Sequence, residues 1–156
     1  MRDMINQVQI RRATEVDIPA MSCLWESLVL EENDSANPNK EAWSEMQRDL
    51  MQNPAYYAYV TETQGVIVGF ATGLLTMDLE HKGELILEGG HMFVSHLYRK
   101  GKAGALLHRM GTEVARKHGA KRFRRHVPAS NDRMVKRLQR RKYIVREFTV
   151  DEGVGG

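Results

Sequence analysis

Cysteine is almost missing from this chain: Cys23 is the single one among 156 residues. One cysteine cannot close an internal disulfide, so a reducing, cytoplasmic setting is expected. Long apolar runs are missing as well. None approaches the roughly 20 residues needed to cross a bilayer, so no membrane partner is expected. Met1 to Gln7 lacks the apolar middle region of a signal peptide. Acidic residues nearly vanish from the C-terminal third: Arg99 to Arg146 holds 2 Asp and Glu against 17 Lys and Arg, and the rest holds 18 against 6. A split of that size points either to an anionic ligand for the basic part or to attraction between the two parts.

What is present fits a folded domain. Apolar residues make up 42% of the chain, which argues against disorder. The length suits one α/β domain over residues 1–156, with short tails near 1–6 and 151–156. Val8 to Ala13 reads as a strand. Thr14 to Asp17 then carries polar capping residues, and Pro19 stands just inside a helix with Ile18, Met21, Leu24, Trp25 and Leu28 on one face. Cys23 falls inside this apolar pattern, so a buried packing role is expected. Glu31 to Asn39 reads as a polar loop. A second helix is predicted over Lys40 to Met51, with Trp43, Met46 and Leu50 inward. Tyr56 to Thr61 and Val66 to Thr76 read as a hairpin turned at Gln64-Gly65. A third strand lies within Glu84 to Ser95, with a bend at Gly89-Gly90.

A basic, glycine-containing segment, Arg99 to Gly104, follows that strand. It opens a helix bearing Ala103, Leu107, Met110 and Val114, which Gly119 is placed to end. Arg122 to Val127 reads as a strand, Ser130 or Asn131 as the cap of a last helix, and Tyr143 to Val150 as a closing strand. This order gives an α/β fold, a central mixed β-sheet flanked by helices on both sides. The strand-to-helix step is the most informative part. A helix beginning straight after a strand offers free backbone N–H groups and its positive dipole end to a phosphate. Arg99, Lys100 and Lys102 add cations there, while Gly101, Ala103 and Gly104 permit close backbone approach. On these residues alone, anion binding and a plain basic helix start are both open.

Met92-Phe93-Val94-Ser95-His96-Leu97-Tyr98-Arg99-Lys100-Gly101-Lys102-Ala103-Gly104 resembles the acetyl-CoA motif of the GNAT superfamily of N-acetyltransferases. In that motif a strand ends in valine, a Tyr-Arg pair follows, and then comes Q/R-x-x-G-x-G/A. Arg99 takes its first position and Gly104 its last, with Lys102 at the middle glycine. Downstream, Asn131, Met134, Leu138, Arg140 and Tyr143 resemble the family's N-x-x-A-x-x-x-Y-x-K-x-G-F. Leu138 stands where a tyrosine general acid is common. The resemblance spans nearly the whole chain. It implies a GNAT-like acyl-CoA N-acyltransferase fold, acetyl-CoA as acyl donor, and direct transfer of its acetyl group to a primary amine.

The same resemblance implies the site. Phe93 and Val94 would supply backbone amides to the oxyanion. The segment from Arg99 to Gly104, together with Asn131 and Arg140, would hold acetyl-CoA. No metal is assigned. The amine must lose a proton to attack, and Glu88, eleven residues before Arg99, is the first candidate for that base. His91 is the second, because imidazole titrates in the useful range, and His96 the third. Tyr98 and Tyr143 are candidates to protonate the leaving thiolate. Glu31, Glu32 and Asp34 would form an acidic rim for a cationic amine, or else an ordinary solvated loop. Trp25, Trp43, Tyr56 and Tyr57 suit either an acceptor pocket or the core. Two alternatives stand beside the enzyme: nucleic-acid binding through Lys121–His126 and Lys136–Lys142, and a catalytically weak domain that binds a protein partner. A homodimer formed on an edge strand is also open.

Overall fold

The computed structural model describes residues 7–125. The last helix, the closing strand, Asn131, Leu138, Arg140 and Tyr143 lie outside the described residues.

Five strands form one sheet in the order β1-β2-β3-β4-β5. They are β1 (Gln9–Arg12), β2 (Tyr56–Thr63), β3 (Val66–Asp78), β4 (Glu84–Val94) and β5 (Arg122–Arg124). The first four pair antiparallel and β5 runs parallel to β4, so the sheet is mixed. Helices α1 (Ile18–Glu32) and α2 (Lys40–Met51) lie between β1 and β2 in the chain, and α3 (Ala103–Lys117) lies between β4 and β5.

The alternation of β2 explains why both faces need helices. Tyr56, Ala58 and Val60 join Met21 of α1, Trp43 of α2, Phe70 and Phe93 in one cluster. Tyr57 faces the other way, with Leu87 and the α3 residues Val114 and Ala115. A second cluster on the α3 side holds Val68, Val94, Ala103 and Leu107. A sheet buried on both faces has little use for polar alternation, which is why β2 and β3 read as dense apolar and aromatic runs.

Local chemistry sets the turns. Gln64 and Gly65 both have positive φ, 51° and 76°, the signature of a tight two-residue hairpin. The start of α1 is fixed by charge. Asp17, buried, takes both guanidinium N–H groups of Arg11 at 2.8 Å and the Thr14 amide at 2.8 Å. Arg11 Nε also donates to Glu62 on β2 at 3.0 Å, tying β1, β2 and α1 together. Arg11 holds the Asp17 carboxyl below its ordinary range.

Three expectations shift. Helix α1 runs on through Glu32, into the segment that reads as a loop. Cys23 is exposed, because it sits one place past the buried Met21 and Ser22 and so turns off the inward face. On α2 the buried pair is Trp43 and Gln47, while Met46 is 46% exposed. Gln47 can be buried because its side-chain oxygen accepts the Tyr56 hydroxyl. The four aromatic residues offered to either role belong to the core. Trp43 stacks on Trp25 at 5.3 Å and meets Phe70 edge-on at 5.8 Å.

Candidate active site

The centre of the site is the far half of β4. The register with β3 passes from Gly73↔Gly89 to Ala71↔Met92, so Gly90 and His91 together oppose the single residue Thr72. That is a β-bulge, and it re-aims the strand beyond it. Thr72 Oγ1 accepts the His91 amide at 3.0 Å, and the Thr72 hydroxyl also bonds that of Tyr56. A Cβ on Gly90 would stand 2.4 Å from Thr72 Oγ1, so a side chain here would have to displace the Thr72 hydroxyl. The chain Gln47–Tyr56–Thr72–His91 thereby connects α2 to the bulge.

Past the bulge, backbone alternation decides which amides are available. Ser95 donates to Val68 O at 2.7 Å. Counting back along the ladder, the Phe93 amide faces β3, while the amide and carbonyl of Val94 face the opposite edge. On that edge β5 pairs only with Ile86 to Glu88. Of the two amides named from the sequence, Val94 therefore points to the edge that no described strand pairs at this position, and Phe93 belongs to the ladder.

The turn after β4 has the character of an anion cradle. Lys102, the residue before α3, makes no side-chain cap, in contrast to Asn39, which accepts the Ala42 amide at the start of α2. The first helical amide with a turn acceptor is Leu106, bonded to Lys102 O at 2.9 Å. Lys102, Ala103, Gly104 and Ala105 thus present the N–H groups that a helix start cannot satisfy internally. The Gly101 amide is bonded to Tyr98 O at 3.2 Å, so Gly101 serves the bend. Lys100 and Lys102 are exposed, with no acidic partner among the described residues. Ala103 is fully buried, and a Cβ on Gly104 would meet nothing nearer than Val94 Cγ2 at 3.9 Å and Met92 Cε at 4.0 Å. Free amides, two cations and small residues fit a pyrophosphate.

The remaining candidates sort by their partners. Glu88 faces Arg124, whose guanidinium lies 3.4 Å from the carboxylate and also bonds Asp78 at 2.8 Å. No described residue hydrogen-bonds the His91 ring. Its surface is accessible, yet the protein around it lowers its pKa by desolvation, which favours the neutral imidazole. His96 is exposed on the turn, and the bonds from Arg99 hold the Glu31 carboxyl below its ordinary range. Tyr98 packs against the cluster of Val94, Ala103 and Leu107. Arg99 is exposed, yet its guanidinium is tied to the protein: it donates to Val94 O and makes two bonds to Glu31. Arg122 bonds Asp78 at 2.8 Å and lies 3.5 Å from Glu84. Among the described residues, part of the basic C-terminal third is therefore spent on the acidic part of the same chain. Sequence reading missed Thr72 and the Glu31–Arg99 pair, since a threonine in a strand and two charges 68 positions apart carry no local signal.

A parallel strand pair, a bulged central strand and a basic helix start without a side-chain cap fit an acyl-CoA-dependent acyltransferase. The sequence model of the acetyltransferase (GNAT) family matches residues 21–143, and the chain belongs to that family. Its donor is acetyl-CoA and its reaction is acetyl transfer to an amine. Among solved structures, a transcriptional regulator from Bacillus halodurans C-125 superposes with TM-score 0.81 at 16% identity, covering 95% of this chain and 100% of that one. A ribosomal-protein-alanine N-acetyltransferase from Brucella melitensis biovar Abortus 2308 gives TM-score 0.72 at 16% identity, with 95% and 99% covered. AAC(6')-Iy, in complex with a CoA-containing bisubstrate analogue, gives TM-score 0.74 at 15% identity, with 97% and 100% covered. No curated protein matches the sequence. Among the described residues, no helix is long and apolar enough to cross a membrane, and no group of three His, Cys, Asp or Glu is placed to hold a metal.

Proposed function

We propose that this N-acetyltransferase acts on a cationic primary amine, with His91 as the base that takes the amine's proton. The observation that carries this reading is the β4 bulge. It holds the His91 amide on Thr72 and sets an accessible, desolvated imidazole three residues before the outward-facing Val94 amide. Acetyl-CoA brings the activated acetyl group. The amides of Lys102, Ala103, Gly104 and Ala105, with Lys100 and Lys102, hold its pyrophosphate. The Val94 amide, beyond the part of the β4 edge that β5 pairs among the described residues, holds the thioester end and receives the charge that develops on its carbonyl oxygen. Glu88 supports the strand through Arg124 rather than serving as base. Tyr98 is partly buried against the Val94 cluster, and Tyr143 remains, with solvent, a candidate to protonate the leaving thiolate. Asn131 and Arg140 remain candidate cofactor contacts from the sequence motif.

Several features support the acceptor class. Glu32 and Asp34 are exposed at the end of α1 and in the loop after it, close in sequence to Glu31. The structural relatives include an aminoglycoside acetyltransferase and a ribosomal-protein-alanine N-acetyltransferase, both named for amine acceptors. The lone exposed thiol of Cys23 suits a cytoplasmic protein. β1, paired only with β2 among the described strands, suits an edge-strand homodimer. Nucleic-acid binding is the weaker reading, because Arg122 and Arg124 of the basic cluster are bonded to Asp78.

The test is an acceptor screen with purified protein and acetyl-CoA, using polyamines, aminoglycosides, lysine peptides and neutral amines, with CoA release as readout. Turnover confined to polycationic amines supports the proposal. Turnover on neutral amines alone would remove the acidic rim from the argument.

A further inference from the structure

Arg99 occupies the first position of the turn that meets acetyl-CoA, and a basic residue there reads as a phosphate ligand. Its guanidinium is already committed elsewhere. Nε donates to Val94 O at 2.9 Å, Nη1 to Glu31 Oε1 at 2.7 Å and Nη2 to Glu31 Oε2 at 2.6 Å. The guanidinium plane also lies over the Phe93 ring, 5.0 Å from its centroid. All three nitrogens thus have protein partners, and the bond to Glu31 is the fork-to-fork geometry that makes arginine pairs strong. Glu31 stands in the last turn of α1, the helix that runs into the acidic loop. Val94 ends β4, past the residues that β5 pairs.

We infer that Arg99 is a positioning residue: through Glu31 and Val94 it fixes the acetyl-CoA turn to α1, and it does not itself bind a phosphate. This rests on the reading that acetyl-CoA binds at residues 94–105. Phosphate recognition then falls to Lys100, Lys102 and the helix amides. The Arg99 fork clamps the end of β4 to the element that borders the acceptor side. Because one side-chain pair joins the two, a change at Glu31, outside the motif, alters the affinity for acetyl-CoA.

The experiment is calorimetric titration with acetyl-CoA at two salt concentrations, on the wild type and on Glu31→Gln, Arg99→Gln, Arg99→Lys and the Glu31→Gln/Arg99→Gln double variant. A positioning pair predicts that Glu31→Gln and Arg99→Gln each weaken binding by about fivefold. The double variant should be no weaker than Arg99→Gln alone, because each change breaks the same link. Arg99→Lys should behave like Arg99→Gln, since lysine keeps the charge but loses the fork. Stoichiometry should stay at one, and the salt dependence should match the wild type.

Three results overturn the inference. The first is Glu31→Gln binding as tightly as, or tighter than, the wild type while Arg99→Gln weakens and flattens the salt dependence. That pattern makes Arg99 a direct phosphate ligand with Glu31 as its competitor. The second is reduced stoichiometry at unchanged affinity, which reports a merely structural pair. The third is unchanged binding in all variants. If the wild type itself fails to bind acetyl-CoA, the cofactor-site reading fails and this inference fails with it; in the three results above, the site stands.

Discussion

Gly90→Ala is the sharpest probe of the bulge on which the site is built. The new methyl would stand 2.4 Å from Thr72 Oγ1, well inside contact, while Thr72 Cβ at 3.6 Å and Thr72 O at 3.7 Å leave ordinary room. Overpacking against the stiff, β-branched side chain of Thr72 costs about 1–3 kcal/mol. Forcing Thr72 aside also breaks its bond to the His91 amide, a further ~1 kcal/mol. The total is about 3 kcal/mol, or a drop in Tm of roughly 6–12 °C for a chain of this size. Thr72→Ala alone removes the hydroxyl and should lose about 1–2 kcal/mol through the Tyr56 and His91 bonds. It also vacates the space that the Gly90 methyl needs. The double variant should therefore be no less stable than Thr72→Ala, with a coupling of about 3 kcal/mol against additivity. Thermal and urea unfolding of the four proteins completes the cycle. If the two losses simply add, Thr72 is not what forbids a side chain at position 90, and the account of the bulge is wrong.

Other expectations follow from the same structure. Gly104→Trp should abolish acetyl-CoA binding by calorimetry, whereas Gly104→Ala, whose methyl meets only Val94 and Met92 at 3.9 and 4.0 Å, should stay within about twofold. His91→Gln should lower turnover by about a hundredfold. Because desolvation holds the His91 pKa below 6.5, the wild type should lose activity only as pH falls beneath that value, and the variant should lack this acid limb. Glu88→Gln should keep most of its turnover; a loss like that of His91→Gln would give Glu88 the role of base. Asp17→Asn should cost about 1–2 kcal/mol in urea unfolding at neutral pH. The folded pKa of Asp17 is depressed, so its contribution is full above the ordinary value of 3.8 and is lost as pH falls through the folded value. Wild type and variant should therefore converge in acid.

The sequence made the elements legible where one physical signal dominated. The inward row of α1 and the limits of α2 follow from periodicity, Asn39 and the Asn53-Pro54 stop. The hairpin turn follows from Gln64-Gly65. The candidate anion-binding turn stands out because small residues and cations crowd one strand-to-helix step. Gln47 was not, because a buried glutamine is acceptable only when a distant hydroxyl meets it, and Tyr56 arrives from another element. Gly89-Gly90 announced a bend, but the residue that enforces it is Thr72, on the neighbouring strand. Glu31 read as a rim charge and Arg99 as a phosphate ligand. Their mutual pairing is a property of the tertiary fold, invisible to any window along the chain.

The exposure of Cys23 has a practical side. A thiol-reactive dye that detects released CoA will also titrate one protein thiol per chain, so the baseline of such an assay rises with enzyme concentration unless Cys23→Ser is used. The same solitary thiol, sited on α1 ahead of Glu31, accepts a single fluorophore without further mutagenesis. The chain thus comes with a ready attachment point for an optical reporter of what acetyl-CoA does to that helix.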